Sequence, residues 1–334
     1  MDQGQRQQLL SPWVSLRDES VDFNLLKKEH TPEGLCCLYF LPDQLFFTHI
    51  IQNNNNIPTV TFIEISVCQL SSLKFILDSI IKKHNLTHAA CTWVLHSSYY
   101  QLFLLDPPTV SESEIPLALR WQIKELITFP AQNAVIEYFP VPSIMESKKK
   151  IYVAAAEKST LQTVADIIHE AELNLQFIDI PQLALRNINA LYGDDTCFLG
   201  LIVFDKNQME FIITHEKNLL LSRQLLLPEN TDINTLNTAS QLTTLPEWLN
   251  NLIAEIQRSF TFCKSQQQKE LPSKLLIAAA APELISQFGN LTGVETEQLQ
   301  VEKKLHFELA LQTDEHFSLD YLIAVGGALR NATN

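Results

Sequence analysis

The stretch LCCLYFLPDQLFFTHIIQNNNNIPTVTFIEISV, residues 35–67, contains three apolar runs of strand type. The runs cover 35–40, 44–51 and 58–67, and a Pro-Asp pair and a row of four Asn stand between them. Short apolar and β-branched runs bounded by Pro, Asp and Asn predict β-strands joined by turns. The folded part of the chain is therefore predicted to open with three consecutive strands.

Two copies of one element order follow from this start. The first copy continues with a helix at 71–84, strands at 89–95 and 151–156, a helix at 158–172, a strand at 175–180 and a helix at 181–191. The second copy has strands at 197–204, 208–215 and 218–227, a helix at 246–267, a strand at 274–280, a helix at 282–288, a strand at 294–299 and a helix at 317–330. With 99–141 set aside as an inserted small module, each copy follows the order βββαβαβα, apart from one extra strand in the first copy. This order predicts an α/β protein of the actin-like, ribonuclease-H-like class, with a mixed five-stranded sheet in each half.

The same pattern predicts the domain boundaries. A polar leader covers 1–30, the first half covers 31–195 with its insert at about 99–141, and the second half covers 196–334. The leader has no apolar core of a signal peptide, and no later window offers about 18 uninterrupted apolar residues. The six cysteines include no CxxC pair and lie mostly in apolar runs, as buried thiols of a reducing compartment do. We therefore expect a protein of a reducing cytosol, with no export signal and no membrane span.

Composition excludes several classes of function. Of the 334 residues, 24 are Lys or Arg and 38 are Asp or Glu, so the net charge is −14 and nucleic acid and anionic lipid are repelled. Only 8 residues are glycine, about a third of the usual share. Loops that cradle phosphate need glycine for close approach of the backbone. We therefore expect neither ATP nor Mg²⁺ as a cofactor, and no metal site.

The positions at which an actin-type ATPase binds nucleotide support this expectation. The turn after the first strand of the first half has Pro42, which lacks an N–H donor, and the corresponding turn of the second half has Asp205 but no glycine. Asp205 is either a residual magnesium contact or a hairpin-turn residue, and the turn is favoured. Three consecutive alanines, 279–281, replace the glycines that would receive adenine. The Gly-Gly pair at 326–327 lies in an apolar helix, where it indicates close helix packing.

The motifs of other enzyme classes are also absent from the sequence. His169-Glu170 and His215-Glu216 begin like HExxH, but neither has the second histidine. No GxSxG, Walker loop or GxGxxG occurs. The chain is therefore predicted not to be an enzyme.

The helix predicted at 112–128 in the inserted module has two apolar faces. One stripe contains Ile115, Leu119, Ile123 and Leu126. Leu117 and Trp121 lie about 160–200° away on a helical projection. In one alternative, both faces pack inside the molecule. In the other, Trp121 and its neighbours Arg120 and Lys124 line a groove for a peptide. The second alternative is motivated by the frequency of Trp and Arg as anchors at interfaces.

Five segments resemble the PilM/MshI family of type IV pilus assembly proteins. LALRWQIKELITFPAQNAVIEYFPV (117–141) is similar to the helix, Phe-Pro turn and strand of that family, and 152–187 to the strand, helix, strand and helix that follow. LIAEIQRSFTFCKSQ (252–266) and YLIAVGGALR (321–330) are similar to its long helix and closing helix. LCCLYFLPDQLFFTHI is most similar to the opening hairpin of the MshI branch.

The resemblance implies an actin-like cytoplasmic scaffold of a type IV pilus platform of the mannose-sensitive haemagglutinin (MSHA) kind. Such a scaffold binds the cytoplasmic tail of a single-span inner-membrane partner of the PilN or MshJ type. By similarity, Arg120, Trp121, Phe129 and Pro130 are the candidate residues for the tail peptide. PilM keeps an ATP site, whereas this sequence departs from it at the positions described above. The GspL cytoplasmic domain is a related case that continues into a membrane helix.

A second hypothesis of a different class is a divergent ATPase or sugar kinase of the same fold. It is motivated by the duplicated element order and by Asp205. It requires replacements for the phosphate loops, and the sequence offers none that we recognise. The two hypotheses differ in one measurable property, which is stabilisation of the protein by Mg-ATP.

Overall fold

The computed structural model describes most of the chain after the polar leader. The described ranges are 32–52, 57–143, 149–193, 198–205, 208–228, 247–267, 272–278, 282–308 and 318–330. Among these residues no helix is long and apolar enough to cross a membrane.

The first sheet has six strands and a mixed topology. In spatial order they are β14 (His306–Phe307), β3 (Thr59–Val67), β2 (Gln44–Ile51), β1 (Leu35–Phe40), β4 (Ala90–Val94) and β8 (Asn174–Asp179). β1, β2 and β3 are antiparallel neighbours, whereas β4 runs parallel to β1 and β8 runs parallel to β4.

The second sheet repeats this topology. In spatial order its strands are β11 (Asn218–Leu226), β10 (Gln208–His215), β9 (Phe198–Asp205), β12 (Lys274–Ala278) and β13 (Glu295–Gln298). The first three are antiparallel neighbours, β12 is parallel to β9, and β13 is parallel to β12. Apart from β14, strand order and strand direction are the same in both sheets, which confirms the predicted duplication. The first sheet has six strands and not the predicted five, because β14 adds to its edge beside β3.

Seven helices lie within the described residues. They are α1 (Leu73–His84), α2 (Ile115–Ile123), α3 (Lys158–Glu170), α4 (Pro181–Ala190), α5 (Glu247–Gln267), α6 (Pro282–Thr292) and α7 (Leu319–Ala328). Local sequence explains several of their ends. α1 finishes in a basic turn and is followed by Asn85 in the left-handed conformation, at φ 54°, while α4 begins with Pro181 at its first position.

The end of the chain packs against the first sheet, although the element order assigns it to the second half. β14 pairs with the start of β3, and α7 lies on β1, β2 and β4. α7 also packs along α4, which contacts the second sheet. The predicted close packing at the glycine pair is confirmed. A Cβ at Gly326 would lie 2.6 Å from the Ala184 carbonyl carbon, and a Cβ at Gly327 would lie 2.6 Å from Val94 Cγ2, so neither position has room for a side chain.

The inserted module is larger than predicted. Its sheet contains β5 (Tyr100–Leu105), β7 (Lys150–Glu157) and β6 (Ala134–Val141) in that order, with β7 antiparallel to both neighbours. The strand predicted at 151–156 therefore belongs to the module and not to the main sheet. Without β7, the first half follows βββαβαβα with no extra strand. The boundaries at 30 and 195 stay predictions.

Candidate functional site

The module sheet has two apolar faces with different partners. Ile151, Val153 and Ala155 of β7 point to one side, where they form a small core with Leu119 and Ile123 of α2. The alternate β7 residues point to the other side and join the main hydrophobic core. The module is thus attached through one face of its sheet and covered by α2 on the other, so that the outer face of α2 is directed away from both cores.

The outer face of α2 carries the two residues that lie opposite the buried stripe. The Trp121 side chain is 67% exposed and Leu117 is 61% exposed. They are four residues apart and therefore neighbours on the helix surface. Lys124 Nζ lies 5.5 Å from the centroid of the Trp121 ring. The alternative in which both faces of this helix pack inside the molecule is wrong, because Trp121 and Leu117 face outward.

The buried stripe of α2 is shorter than predicted. Leu119 and Ile123 are fully buried, whereas Leu126 is 48% exposed. The helix ends at Ile123, and the Leu126 and Ile127 amides both donate to the Ile123 carbonyl in the turn that follows, at 2.8 and 3.1 Å. This turn places Ile127 against the module core instead of Leu126. Leu126 is therefore an exposed apolar residue that helical periodicity did not identify.

Arg120 supports the turn that follows α2. Its Nη1 donates to the carbonyl of Ala131 and, at 3.1 Å, to that of Ala134. These two carbonyls flank the 3₁₀ turn over Ala131–Asn133, which Pro130 precedes as the N-cap residue. The guanidinium is thus committed to the backbone of the Phe-Pro turn.

The remaining two predicted peptide-binding residues differ in exposure. Phe129 is half-buried and packs against the module core, whereas Pro130 is exposed. Of the four residues chosen by resemblance, Trp121 and Pro130 therefore present surface, while Arg120 and Phe129 hold the turn in place. Their contact with a peptide stays a prediction.

The first hairpin contains the turn at which an actin-type ATPase would hold phosphate in the first half. The Leu41 amide donates to the Gln44 carbonyl inside the turn, at 2.8 Å, and Pro42 has no amide hydrogen. Two of the N–H groups that a phosphate cradle would need are therefore not available. The Asp43 carbonyl accepts from the Cys68 amide at 2.9 Å, which holds the turn against the end of β3.

The second hairpin contains the residual magnesium candidate. Asp205 is the last residue of β9 and pairs with Gln208, the first residue of β10. Asp205 therefore flanks the turn of this hairpin. The described part of the chain holds no group of three or more His, Cys, Asp or Glu that could bind a metal ion. The alanines at 279–281 lie outside the described residues. The expectation that the protein binds neither ATP nor Mg²⁺ stays a prediction.

The cysteines have the environment that the sequence indicates. Five of the six lie in the part of the chain that the structure describes, and each of them is free and buried: Cys36, Cys37, Cys68, Cys91 and Cys263. Burial raises the pKa of each of these thiols. They are packing residues and not reactive nucleophiles.

Comparison with known proteins adds information on the fold. The PilM-PilN type IV pilus biogenesis complex contains a chain that superposes with a TM-score of 0.63 at 17% identity, covering 90% of this chain and 98% of that one. The cytoplasmic domain of EpsL, an inner-membrane component of the type II secretion system of Vibrio cholerae, has a TM-score of 0.44 at 8% identity over 90% and 100%. A Bacteroides thetaiotaomicron protein of actin-like ATPase fold has a TM-score of 0.44 at 11% identity over 82% and 95%.

Neither protein-family models nor curated proteins match this sequence. At these identities the structural similarity concerns the fold. It agrees with the duplicated strand order in the two main sheets. The chain has an actin-like α/β fold with a small α+β module inserted in its first half.

Proposed function

We propose that this protein is a non-catalytic, PilM-like scaffold of a type IV pilus platform, of the MshI branch. In this proposal it resides in the bacterial cytoplasm and is peripheral to the inner membrane. It binds the cytoplasmic N-terminal tail of a single-span PilN- or MshJ-type protein and, through it, other platform components. The superposition with PilM over nearly its whole length and the five similar sequence segments support this proposal.

The observation that carries the proposal is the exposed outer face of α2. A Trp and a Leu side by side on a short helix form an apolar surface of the kind that a partner covers. The surface lies on the inserted module, to which the resemblance assigns the tail peptide. An extended tail would bury apolar side chains against Trp121 and Leu117.

The supporting turn gives this surface a fixed geometry. Arg120 ties the C-terminal part of α2 to the backbone on both sides of the 3₁₀ turn. Phe129 anchors the same turn in the module core. Trp121 and Pro130 are therefore held on a rigid frame, which lowers the entropic cost of binding.

Peptide titration tests the surface. The assay measures binding of a fluorescent synthetic peptide with the tail sequence of the PilN- or MshJ-type protein from the same genome. We expect Trp121→Ala to weaken binding about 30-fold or more, the effect of removing an interface hot spot of about 2 kcal/mol. Phe75 of α1, which is 75% exposed, provides the matched control, and Phe75→Ala should bind as the unmodified protein does. Equal losses in both variants, or none at Trp121→Ala, would contradict the proposal.

Thermal unfolding with Mg-ATP tests the non-catalytic part separately. A ligand at about 100 times its Kd stabilises a single site by about 2.7 kcal/mol. We expect no shift of the unfolding midpoint, since the turn of the first hairpin has no glycine and two of its N–H groups are not available for phosphate. A saturable shift would favour the divergent ATPase or sugar kinase instead.

A further inference from the structure

A cleft of about 250 Å³ lies where elements of both halves meet, away from the α2 surface. From the first half come the end of β1, the segment after β4, the start of β5 in the module and the start of α4, and from the second come β10, β11 and the start of α7. The polar and aromatic residues that line it include Tyr39, Tyr100, Gln182, Gln208, Glu210 and Asp320. The volume is below the range of about 300–1,000 Å³ of pockets for drug-sized ligands, so that a small group fits.

Glu210 is a buried acid with one oxygen that lacks a partner. Its side chain is only 6% exposed, and no described residue hydrogen-bonds to Oε2. Gln224 hydrogen-bonds to the carboxyl group and also donates to Gln208 Oε1 at 2.9 Å. A buried acceptor without a hydrogen bond is destabilising, and more so if it is charged. A hydrogen-bond donor in the cleft would remove that destabilisation.

The chemistry of the lining favours a cationic donor. The two carboxylates, Glu210 and Asp320, come from different elements, and the described lining contains neither Lys nor Arg. The Tyr39 hydroxyl hydrogen-bonds to Asp320, and the Tyr100 hydroxyl donates to Gln182 Oε1 at 2.8 Å. His96 is the other titratable group of the lining, and burial lowers its pKa, so it stays neutral at pH 7. Carboxylates beside aromatic rings suit ammonium and guanidinium groups and repel phosphate.

We propose that this cleft binds one small cation of the ammonium or guanidinium class, with Glu210 as the principal acceptor. This site is distinct from the α2 surface and does not depend on the pilus assignment. The group can belong to a free amine or to a Lys or Arg side chain. The described residues lack a set of metal ligands, which argues against a divalent cation.

Binding and protonation are coupled at this site. Burial raises the pKa of Glu210 to about 8, so its carboxyl group is largely protonated at pH 7 in the free protein. A bound cation stabilises the carboxylate and releases the proton. The observed affinity should therefore rise about tenfold per pH unit below the raised pKa, and level off above it.

Isothermal titration with methylguanidinium chloride tests the proposal. We expect one saturable site whose affinity rises about tenfold from pH 6 to pH 7, with release of up to one proton measured from the heats in two buffers. Glu210→Gln should weaken binding at least tenfold, and Asp320→Asn should weaken it less. Glu216→Gln, at an exposed glutamate next to the end of the same strand, is the matched control and should bind as the unmodified protein does.

Two further titrations distinguish the source of the cation and its class. The peptide Gly-Gly-Arg-Gly-Gly, capped at both ends, compares a protein side chain with free methylguanidinium. Tighter binding of either ligand, lost in Glu210→Gln, supports the site and identifies its source. A saturable response to MgCl₂ without one to methylguanidinium would overturn the ligand class. No saturable binding, or equal binding to Glu210→Gln, would overturn the site itself.

Discussion

Substitution of Gly326 by Ala tests the packing of α7 on α4, through which the end of the chain is attached. A Cβ at this position would lie 2.6 Å from the Ala184 carbonyl carbon and 3.2 Å from its Cα. Carbon atoms in contact are about 3.5–4.0 Å apart, so the two helices would have to separate by roughly 1 Å. The obstacle is the backbone of α4, which cannot rotate away as a side chain would.

The expected cost follows from two opposing effects. Overpacking of a core costs about 1–3 kcal/mol, and a backbone obstacle places Gly326→Ala at the upper end. Replacing a helical glycine with alanine returns about 1 kcal/mol. We therefore expect the free energy of unfolding to fall by about 2 kcal/mol. The Asn187 side chain, which donates to the Gly326 carbonyl at 2.8 Å, would be displaced as well.

Urea unfolding followed by circular dichroism measures this change. Gly289→Ala in α6 is the matched control, because its Cβ would meet a side-chain atom, the Thr296 hydroxyl, at 2.8 Å. Rotation of this hydroxyl costs at most its hydrogen bond to the Ile285 carbonyl, and the gain from replacing a helical glycine offsets that loss. The control should change the free energy of unfolding by less than about 1 kcal/mol. If Gly326→Ala were as stable as the unmodified protein, close packing of α7 on α4 through this glycine would be refuted.

Three further predictions concern buried charge and the module. Arg330→Met leaves the buried carboxylate of Asp179 without its ion pair. It should lower the free energy of unfolding by about 3–5 kcal/mol in urea titrations, and a loss no larger than that of a variant at an exposed charge would contradict this. Because burial raises the folded-state pKa of Glu210 to about 8, the folded protein binds more protons than the unfolded one between about pH 5 and 8. Glu210 should therefore contribute a loss of stability of up to about 1.4 kcal/mol per pH unit as pH rises through that window, and Glu210→Gln should remove this contribution, measured as the difference between the two proteins at each pH. Arg120→Ala removes two hydrogen bonds to backbone carbonyls and should speed amide exchange over the 3₁₀ turn, while an unchanged rate would exclude the supporting role.

The central strands of the two main sheets, β1, β2, β9 and β10, are readable from the sequence because they are buried on both sides. β1 and β9 consist almost entirely of buried apolar residues and end at turn residues, so their positions do not depend on distant parts of the chain. The strand over 150–157 is equally apolar, and its sheet was assigned wrongly. Composition identifies a strand, but its neighbours are decided by pairing between residues far apart in sequence.

The candidate site on α2 was also only partly predictable from the sequence. Helical periodicity separates Trp121 from the buried stripe, but it does not show which face meets solvent. That depends on the module sheet, which covers only the side with Leu119 and Ile123. The role of Arg120 depends on carbonyls 11 and 14 residues away, which a sequence motif cannot place.

The sequence by itself determined the duplicated α/β order, the loss of the glycine-based phosphate loops and the apolar character of both faces of α2, because each depends on residues that are local in the chain. Only the tertiary structure decided that β7 belongs to the module, that Trp121 is exposed and that Glu210 lies in a cleft with Tyr39 and Asp320. These features depend on contacts between distant segments. Side-chain exposure and the pKa of a buried acid are properties of the assembled environment, which no local pattern contains.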